Sequence, residues 1–282
     1  MKAGISLICV LMPIIASAGD SVPLRMVRSY PVVERVYVNG AGPFRFLIDT
    51  GAQSSAVRSD VAEKLRLRPA YRLDVATNAG SHEMIGTIAD QVSLGDRSLE
   101  GVELVVHELA GIRCLDRSIQ GVLGQNFISR FNYLLDYKNR RLVFDDGPQP
   151  PAGARVKFER IDERPAIRIE GPRKALRLVL DSGASDLILF ADPGELQAAT
   201  GQARLMATAS QQRIQMSWAP ELRVGSEVIR NVAVGIAPQD SARAEDGLLP
   251  TSLFRAVYFD NREGFVILNP SYSDRSLTRA VQ

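Results

Sequence analysis

Short runs of alternating apolar and polar residues dominate the chain. Arg35-Val36-Tyr37-Val38, Ala166-Ile167-Arg168-Ile169 and Asn231-Val232-Ala233-Val234 each follow the two-residue period of a strand with one buried face. Helical spacing is rare. Asp60 to Leu67 reads as one short helix, with Asp60 and Glu63 placed for a capping arrangement and Pro69 beyond its end. Pro193 to Ala199 reads as another, with a proline in its first turn and Gly201 past its end. The pattern predicts an all-β protein with minor helix.

Two segments fall outside that pattern. Asp145-Asp146-Gly147-Pro148-Gln149-Pro150-Pro151-Ala152-Gly153 has a composition that neither strand nor helix tolerates, and it reads as a connector between two halves. At the start, Lys2, an apolar run from Ile5 to Ala16 and the small residues Ala16-Ser17-Ala18 have the form of a signal peptide over residues 1–18. The run is short for a bilayer span. An uncleaved anchor or a plain N-terminal strand is the alternative. Cys9 lies mid-way along the run, after Leu7-Ile8, which argues against lipid attachment. The resulting division is a signal peptide at 1–18, a first lobe at 19–147, a linker at 148–153, a second lobe at 154–270 and a loose polar tail at 271–282.

The two halves repeat each other. Phe44-Arg45-Phe46-Leu47-Ile48-Asp49-Thr50-Gly51-Ala52 runs an apolar strand into an Asp-containing turn, and Leu176-Arg177-Leu178-Val179-Leu180-Asp181-Ser182-Gly183-Ala184 does the same 132 residues later. Val92-Ser93-Leu94-Gly95 is matched by Leu222-Arg223-Val224-Gly225, and Gly121-Val122-Leu123 by Gly247-Leu248-Leu249. Each half closes on aromatics, an aspartate and a short strand: Phe131 to Phe144 with Asp136, and Phe254 to Leu268 with Asp260. Elements that keep their order while their spacing drifts indicate duplication followed by changes in loop length.

An Asp-Thr/Ser-Gly triplet alone is a weak signal, expected in on the order of one chain in ten of this length at average composition. Taken singly, it is most simply an ordinary turn. Here each triplet ends an apolar strand at the matching position of a duplicated half. On these residues the chain, over residues 30 to 270, resembles the pepsin and retropepsin clan of aspartic peptidases. Phe46 to Ala52 with Arg58 to Pro69 is similar above all to bacterial retropepsin-like domains.

The resemblance implies two acid-protease lobes, six-stranded closed or partly open barrels related by a pseudo-two-fold axis. It implies that Asp49 and Asp181 are the catalytic pair. Thr50, Gly51, Ser182 and Gly183 would support the two loops, the hydroxyls by bonds across the axis and the glycines by close backbone approach. It implies an apolar-apolar-Gly brace later in each lobe. Val122-Leu123-Gly124 fits, whereas Leu248-Leu249-Pro250 departs. For both segments a core strand ending in a turn is the alternative. A substrate-covering hairpin is expected at Thr77 to Ile85, with Gly80, Ser81 and His82 as flap candidates, and a second at Ser210 to Trp218. A plain surface hairpin is the alternative for the second.

Composition then narrows the chemistry. Lys+Arg is 34 and Asp+Glu 32, a formal net charge of +2, with no basic run interleaved with aromatics, so no nucleic-acid partner is indicated. With His82 and His107 as the two histidines, metal and triad chemistry have little material. His82-Glu83 lacks the later histidine of a zinc peptidase helix. Cys114, left alone after signal removal, makes no internal disulfide and reads as a buried structural thiol. Gly183-Ala184-Ser185-Asp186-Leu187 lacks the second glycine of a nucleophile elbow, and Gly40-Ala41-Gly42 before Pro43 reads as a hairpin turn.

The reading is an exported, periplasmic or secreted aspartic endopeptidase, with no cofactor, no metal and no membrane segment after signal cleavage. Its partner is a peptide or protein substrate, and it acts as a monomer with one intramolecular active site in an acidic pH range. A non-catalytic peptide-binding protein on the same scaffold is the first rival. Lobes pairing between chains is the second.

Overall fold

The computed structural model describes residues 21–77, 80–145, 147, 150–171, 174–190, 201–206, 211–238 and 243–271, with side chains described outside 75–82 and 201–213. Residues 1–20, where a signal peptide is expected at 1–18, the tail from residue 272, the expected helix at Pro193 to Ala199 and residues 78–79 of the expected hairpin lie outside the described residues.

Local chemistry sets the first lobe. Asn39 and Gly40, with φ of 51° and 74°, make the tight turn that folds the strand Tyr30–Val38 back on Ala41–Ile48. Ala41 and Gly42, expected in that turn, already belong to the second strand. Gly95, with φ of 63°, opens the turn between Gly80–Leu94 and Arg97–His107. Gly225, with φ of 59°, opens its counterpart between Gln211–Val224 and Glu227–Ile236. The repeat read from the sequence at these two points is therefore one hairpin used twice.

The helix expected at Asp60 to Leu67 is present but shorter, Ser59–Lys64. It stops because Arg66 turns left-handed at φ 54°. The capping arrangement of Asp60 with Glu63 is not made. Arg58 occupies the cap position without a side-chain bond, and the Asp60 carboxylate instead receives Arg58 Nε at 2.5 Å and Nη2 at 2.6 Å.

In the first lobe, Tyr30–Val38, Ala41–Ile48, Gly121–Leu123, Ser55–Arg58, Arg97–His107 and Gly80–Leu94 pair in that order. The ring then closes through Val36↔Leu94, Tyr37↔Ser93 and Val38↔Val92. This is a closed six-stranded barrel, with Arg25–Val27 and Pro69–Thr77 attached outside it.

The second lobe repeats the order with Arg164–Ile169, Leu176–Asp181, Gly247–Pro250, Leu187–Leu189, Glu227–Ile236 and Gln211–Val224. Among the described residues its last strand does not rejoin the first.

A six-stranded sheet ties the lobes together: Ser21–Pro23, Arg141–Asp145, Asn132–Asp136, Ala256–Asp260, Phe265–Leu268 and Arg155–Lys157. Its order reads the same from either edge, so the pseudo-two-fold axis passes between Asn132–Asp136 and Ala256–Asp260. These central strands pair antiparallel through Tyr133↔Phe259 and Leu135↔Val257. The rings of Tyr133 and Phe259 stack there at 4.8 Å and are fully buried. Each such aromatic contributes about 1.5–3 kcal/mol by burial. The aspartates that close the two halves are turn anchors. Asp136 accepts from Asn139 N and Asp260 from Glu263 N, both at 2.9 Å. Among the described residues no helix is long and apolar enough to cross a membrane.

Candidate active site

Each triplet sits where an apolar strand runs out of its barrel beside a parallel partner. Ala41–Ile48 lies against Gly121–Leu123 with Ile48↔Leu123, and Leu176–Asp181 lies against Gly247–Pro250 with Leu180↔Leu249. The flanking apolar residues are buried, so the register is fixed and each aspartate is delivered to the same end of its barrel.

The two loops then interlock across the axis. Thr50 Oγ1 donates to Leu180 O at 2.7 Å and accepts from Ser182 N at 2.9 Å. Ser182 Oγ donates to Ile48 O at 2.6 Å and accepts from Thr50 N at 2.9 Å. Both hydroxyl residues are fully buried, so these four bonds form where no water competes. Thr50 and Ser182 are therefore brought together, and the Thr/Ser difference leaves the pattern of bonds intact.

That lock sets the carboxyl groups of Asp49 and Asp181 beside each other, within hydrogen-bonding reach. Gly51 N donates to Asp49 Oδ1 at 3.0 Å and Gly183 N to Asp181 Oδ1 at 2.7 Å. Each glycine also lies against the opposite aspartate. A Cβ on Gly183 would stand 2.6 Å from the Asp49 carboxyl, and one on Gly51 would overlap that of Asp181. A side chain at either place would have to push the facing carboxyl aside.

Asp181 is buried at 7% exposure, while Asp49 is half-buried. Burial raises both carboxyl groups above the ordinary aspartate range, and the charge of Asp49 raises Asp181 further. Two neighbouring carboxyls whose ionisation is disfavoured in this way can share one proton, and that titration belongs to the pair.

The braces behind the loops differ. In the first lobe Gly124 N donates to Ser55 Oγ at 3.0 Å, and Gln125 Nε2 donates to Thr50 O at 2.7 Å. In the second, Pro250 pairs with Asp181 along the sheet, and Thr251 bonds the Tyr137 hydroxyl of the first lobe at 2.5 Å. Pro250 thus serves as the strand end that Gly124 marks in the first lobe.

The flap candidates Gly80, Ser81 and His82 lie on the returning strand of a hairpin, paired with Thr77, Ala76 and Val75. In the second lobe, Gly201–Met206 and Gln211–Val224 form the matching hairpin through Met206↔Gln211. Of the segment expected there, Ser210 to Trp218, the part from Gln211 lies on the returning strand, and Ser210 lies outside the described residues.

Sequence reasoning missed Gln125, Thr251 and Tyr137, whose contacts no motif announces. It also missed Tyr30 and Arg164, for which a signal exists: Tyr30-Pro31-Val32-Val33 and Arg164-Pro165-Ala166-Ile167 are another repeated pair in the same order.

Two barrels that each supply one Asp-Thr/Ser-Gly loop to a shared site make up an all-β, two-lobed fold. Residues 34–127, a third of the chain and most of the first lobe, match the family model described as aspartyl protease, which supports the resemblance to aspartic peptidases. None of the curated proteins matches the chain. Among solved structures, the chain is similar to a retropepsin-like aspartic protease from Rickettsia conorii at 18% identity and a TM-score of 0.32, covering 44% of this chain and 87% of that one.

Proposed function

We propose that the chain is an aspartic endopeptidase in which Asp49 and Asp181 activate a water molecule against a peptide bond. The observation that carries this reading is the pair of carboxyl groups, Asp181 buried and Asp49 half-buried, facing each other across two interlocked loops. The ionised carboxyl takes a proton from the water as its oxygen attacks the peptide carbonyl carbon. The protonated carboxyl donates to the carbonyl oxygen, giving a neutral diol. On collapse the C–N bond breaks and the leaving nitrogen takes the proton drawn from water. A diol proton returns to the other carboxylate, and the pair ends with one proton, as it began.

Each lobe supplies one aspartate, so the site is complete within one chain and the enzyme works as a monomer. We further propose export through the segment 1–18. Peptide cleavage by the wild type against Asp49→Asn and Asp181→Asn tests the reading. Each change should lower turnover by about 10²–10⁴-fold, and a statine-type analogue should inhibit the wild type. Peptide binding by the wild type without turnover would instead identify a binding protein on this scaffold.

A further inference from the structure

The positions that flank the dyad, one in each lobe, differ in charge. Tyr30 and Arg164 begin equivalent strands, each followed by a proline. Two steps beyond Val32↔Leu47 the register sets Tyr30 opposite Asp49, and two steps beyond Ala166↔Val179 it sets Arg164 opposite Asp181. Opposed residues of an antiparallel pair share a face of the sheet. Each catalytic candidate therefore has one of these two side chains as its cross-strand neighbour.

Tyr30 is buried and its phenol faces Ser185 of the other lobe. Arg164 is a charge held in place. Its Nε donates to Ile161 O at 3.2 Å, its Nη1 to Glu245 Oε1 and its Nη2 to Glu245 Oε2, both at 3.2 Å, and Nη2 also donates to Asp162 Oδ2 at 3.1 Å. The Glu245 side chain is 1% exposed and also receives Arg243 Nη1 at 3.3 Å. The Arg243 guanidinium lies 4.2 Å over the Phe190 ring. A buried ion pair of this kind contributes little net stability. The first lobe fills the same place with a neutral tyrosine, so folding does not demand the charge.

We propose that Arg164 is a positioning residue for the dyad: its fixed positive charge favours ionisation of the Asp49–Asp181 pair, Glu245 offsets part of that effect, and together they set the pH window in which the pair holds one proton. The effect on rate rests on the catalytic reading above; the effect on ionisation does not. Arg164 acts on both carboxyls and opposes the rise that burial imposes on them. The groups facing this cluster are Asp162, Glu245 and Arg243 on the Arg164 side, Tyr30 with Arg28 and Asp186 on the other, and Tyr137 beside Asp181. The tyrosines stay neutral through the acid range.

The test is a carboxyl ¹³C titration of the full chain labelled at aspartate, with Asp49→Asn and Asp181→Asn assigning the signals, alongside the pH profile of kcat/KM. In Arg164→Met both ionisation steps of the dyad should move up by on the order of half to one pH unit. In Glu245→Gln both should move down, and in Arg164→Lys they should stay near the wild type. The first two changes break the same ion pair and both lower thermal stability, so a purely structural bridge gives no opposite signs. Steps that shift the same way in both variants, or in neither, overturn the proposal. Should Arg164→Met not fold, Glu245→Gln decides alone, because unmoved steps there have the same force. A wild type that cleaves no peptide while its carboxyls shift oppositely in the two variants would support the role of Arg164 and sink the catalytic reading.

Discussion

The turn behind the dyad is made twice, from different parts. In the first lobe Gly124 N donates to Ser55 Oγ, and Ser55 Oγ donates in turn to Asn126 Oδ1 at 2.7 Å. In the second lobe the strand pairings Ala56↔Val122 and Ile188↔Leu248 make Leu187 the counterpart of Ser55 and Pro250 the counterpart of Gly124. The donor and its acceptor have disappeared together. A buried N–H without a partner costs about 1–3 kcal/mol, whereas replacing both partners by apolar groups is nearly neutral. The proline that breaks the expected brace motif is thus one half of a matched replacement, and the other half lies 63 residues upstream, at Leu187. The lobes diverge where a pair of changes offsets itself, and stay alike where the dyad leaves no room.

The sharpest test of where they stay alike is a methyl group at each glycine of the triplets. Gly51→Ala and Gly183→Ala each drive a Cβ into the opposite carboxyl. We expect each to lower peptide turnover by at least about 10²-fold, since displacement of a reacting group by an ångström is worth that much. Equal losses in steady-state assays would support the pseudo-two-fold equivalence. Tolerance at one glycine alone would break it.

Next in size is the interlock. Thr50→Val leaves the Leu180 carbonyl and the Ser182 N–H without partners, and Ser182→Ala does the same to Ile48 O and Thr50 N. Each change should cost about 2–6 kcal/mol in thermal or denaturant unfolding. A variant that unfolds like the wild type would show that the lock is not what holds the lobes in register.

The braces should respond more weakly, and unequally. Ser55→Ala orphans Gly124 N and should cost about 1–3 kcal/mol. Pro250→Gly introduces a buried N–H that finds no hydroxyl at Leu187 and adds unfolded-state freedom, for about 1–4 kcal/mol. Leu187→Ser with Pro250→Gly restores the first lobe's pairing in the second, and the double variant should be more stable than the two single costs predict. A strictly additive cycle would deny that these residues replace one another as a pair.

What could be read in the sequence follows the same division. The triplets, the Gly95 and Gly225 turns and the Gly121 and Gly247 strands were legible because period, glycine placement and repetition all pointed one way. The sheet joining the lobes was not. Ser21–Pro23 and Arg155–Lys157 are three residues each, too short to carry a period, and the Tyr133↔Phe259 pairing joins strands far apart along the chain. The helix Ala110–Leu115 was also hidden, since it opens on Leu109 in a left-handed turn with no capping side chain, and on it Cys114, expected to be buried, is exposed because the helix turns Gly111 and Ile112 inward instead. Arg164 was missed for another reason: a cation two steps past a recognisable ladder gains meaning only once the strand beside it is known to end on Asp181.

The smallest expected effect separates the dyad from the rest of the molecule by the sign of its pH dependence. Burial holds Asp181 well above the ordinary aspartate range, so the folded state favours its protonated form. Stability from that preference is fully present below the unfolded value near 3.8 and is lost as pH rises through the folded value. Asp181→Asn removes the group that has to ionise. It should melt with the wild type in acid and above it near neutrality, by a few degrees, at about 2–4 °C per kcal/mol for a chain of this size. Asp116 works in the opposite sense. Bonds from Ser118 and then Arg25 hold it at about 2, so its contribution is present above the ordinary aspartate value and fades as pH falls toward 2. Asp116→Asn should therefore weaken the protein near neutrality and converge with the wild type in strong acid. Melting temperatures that fail to separate in this way, with Asp181→Asn no more stable than the wild type at neutral pH, would mean that the dyad stores no strain for the rest of the fold to bear.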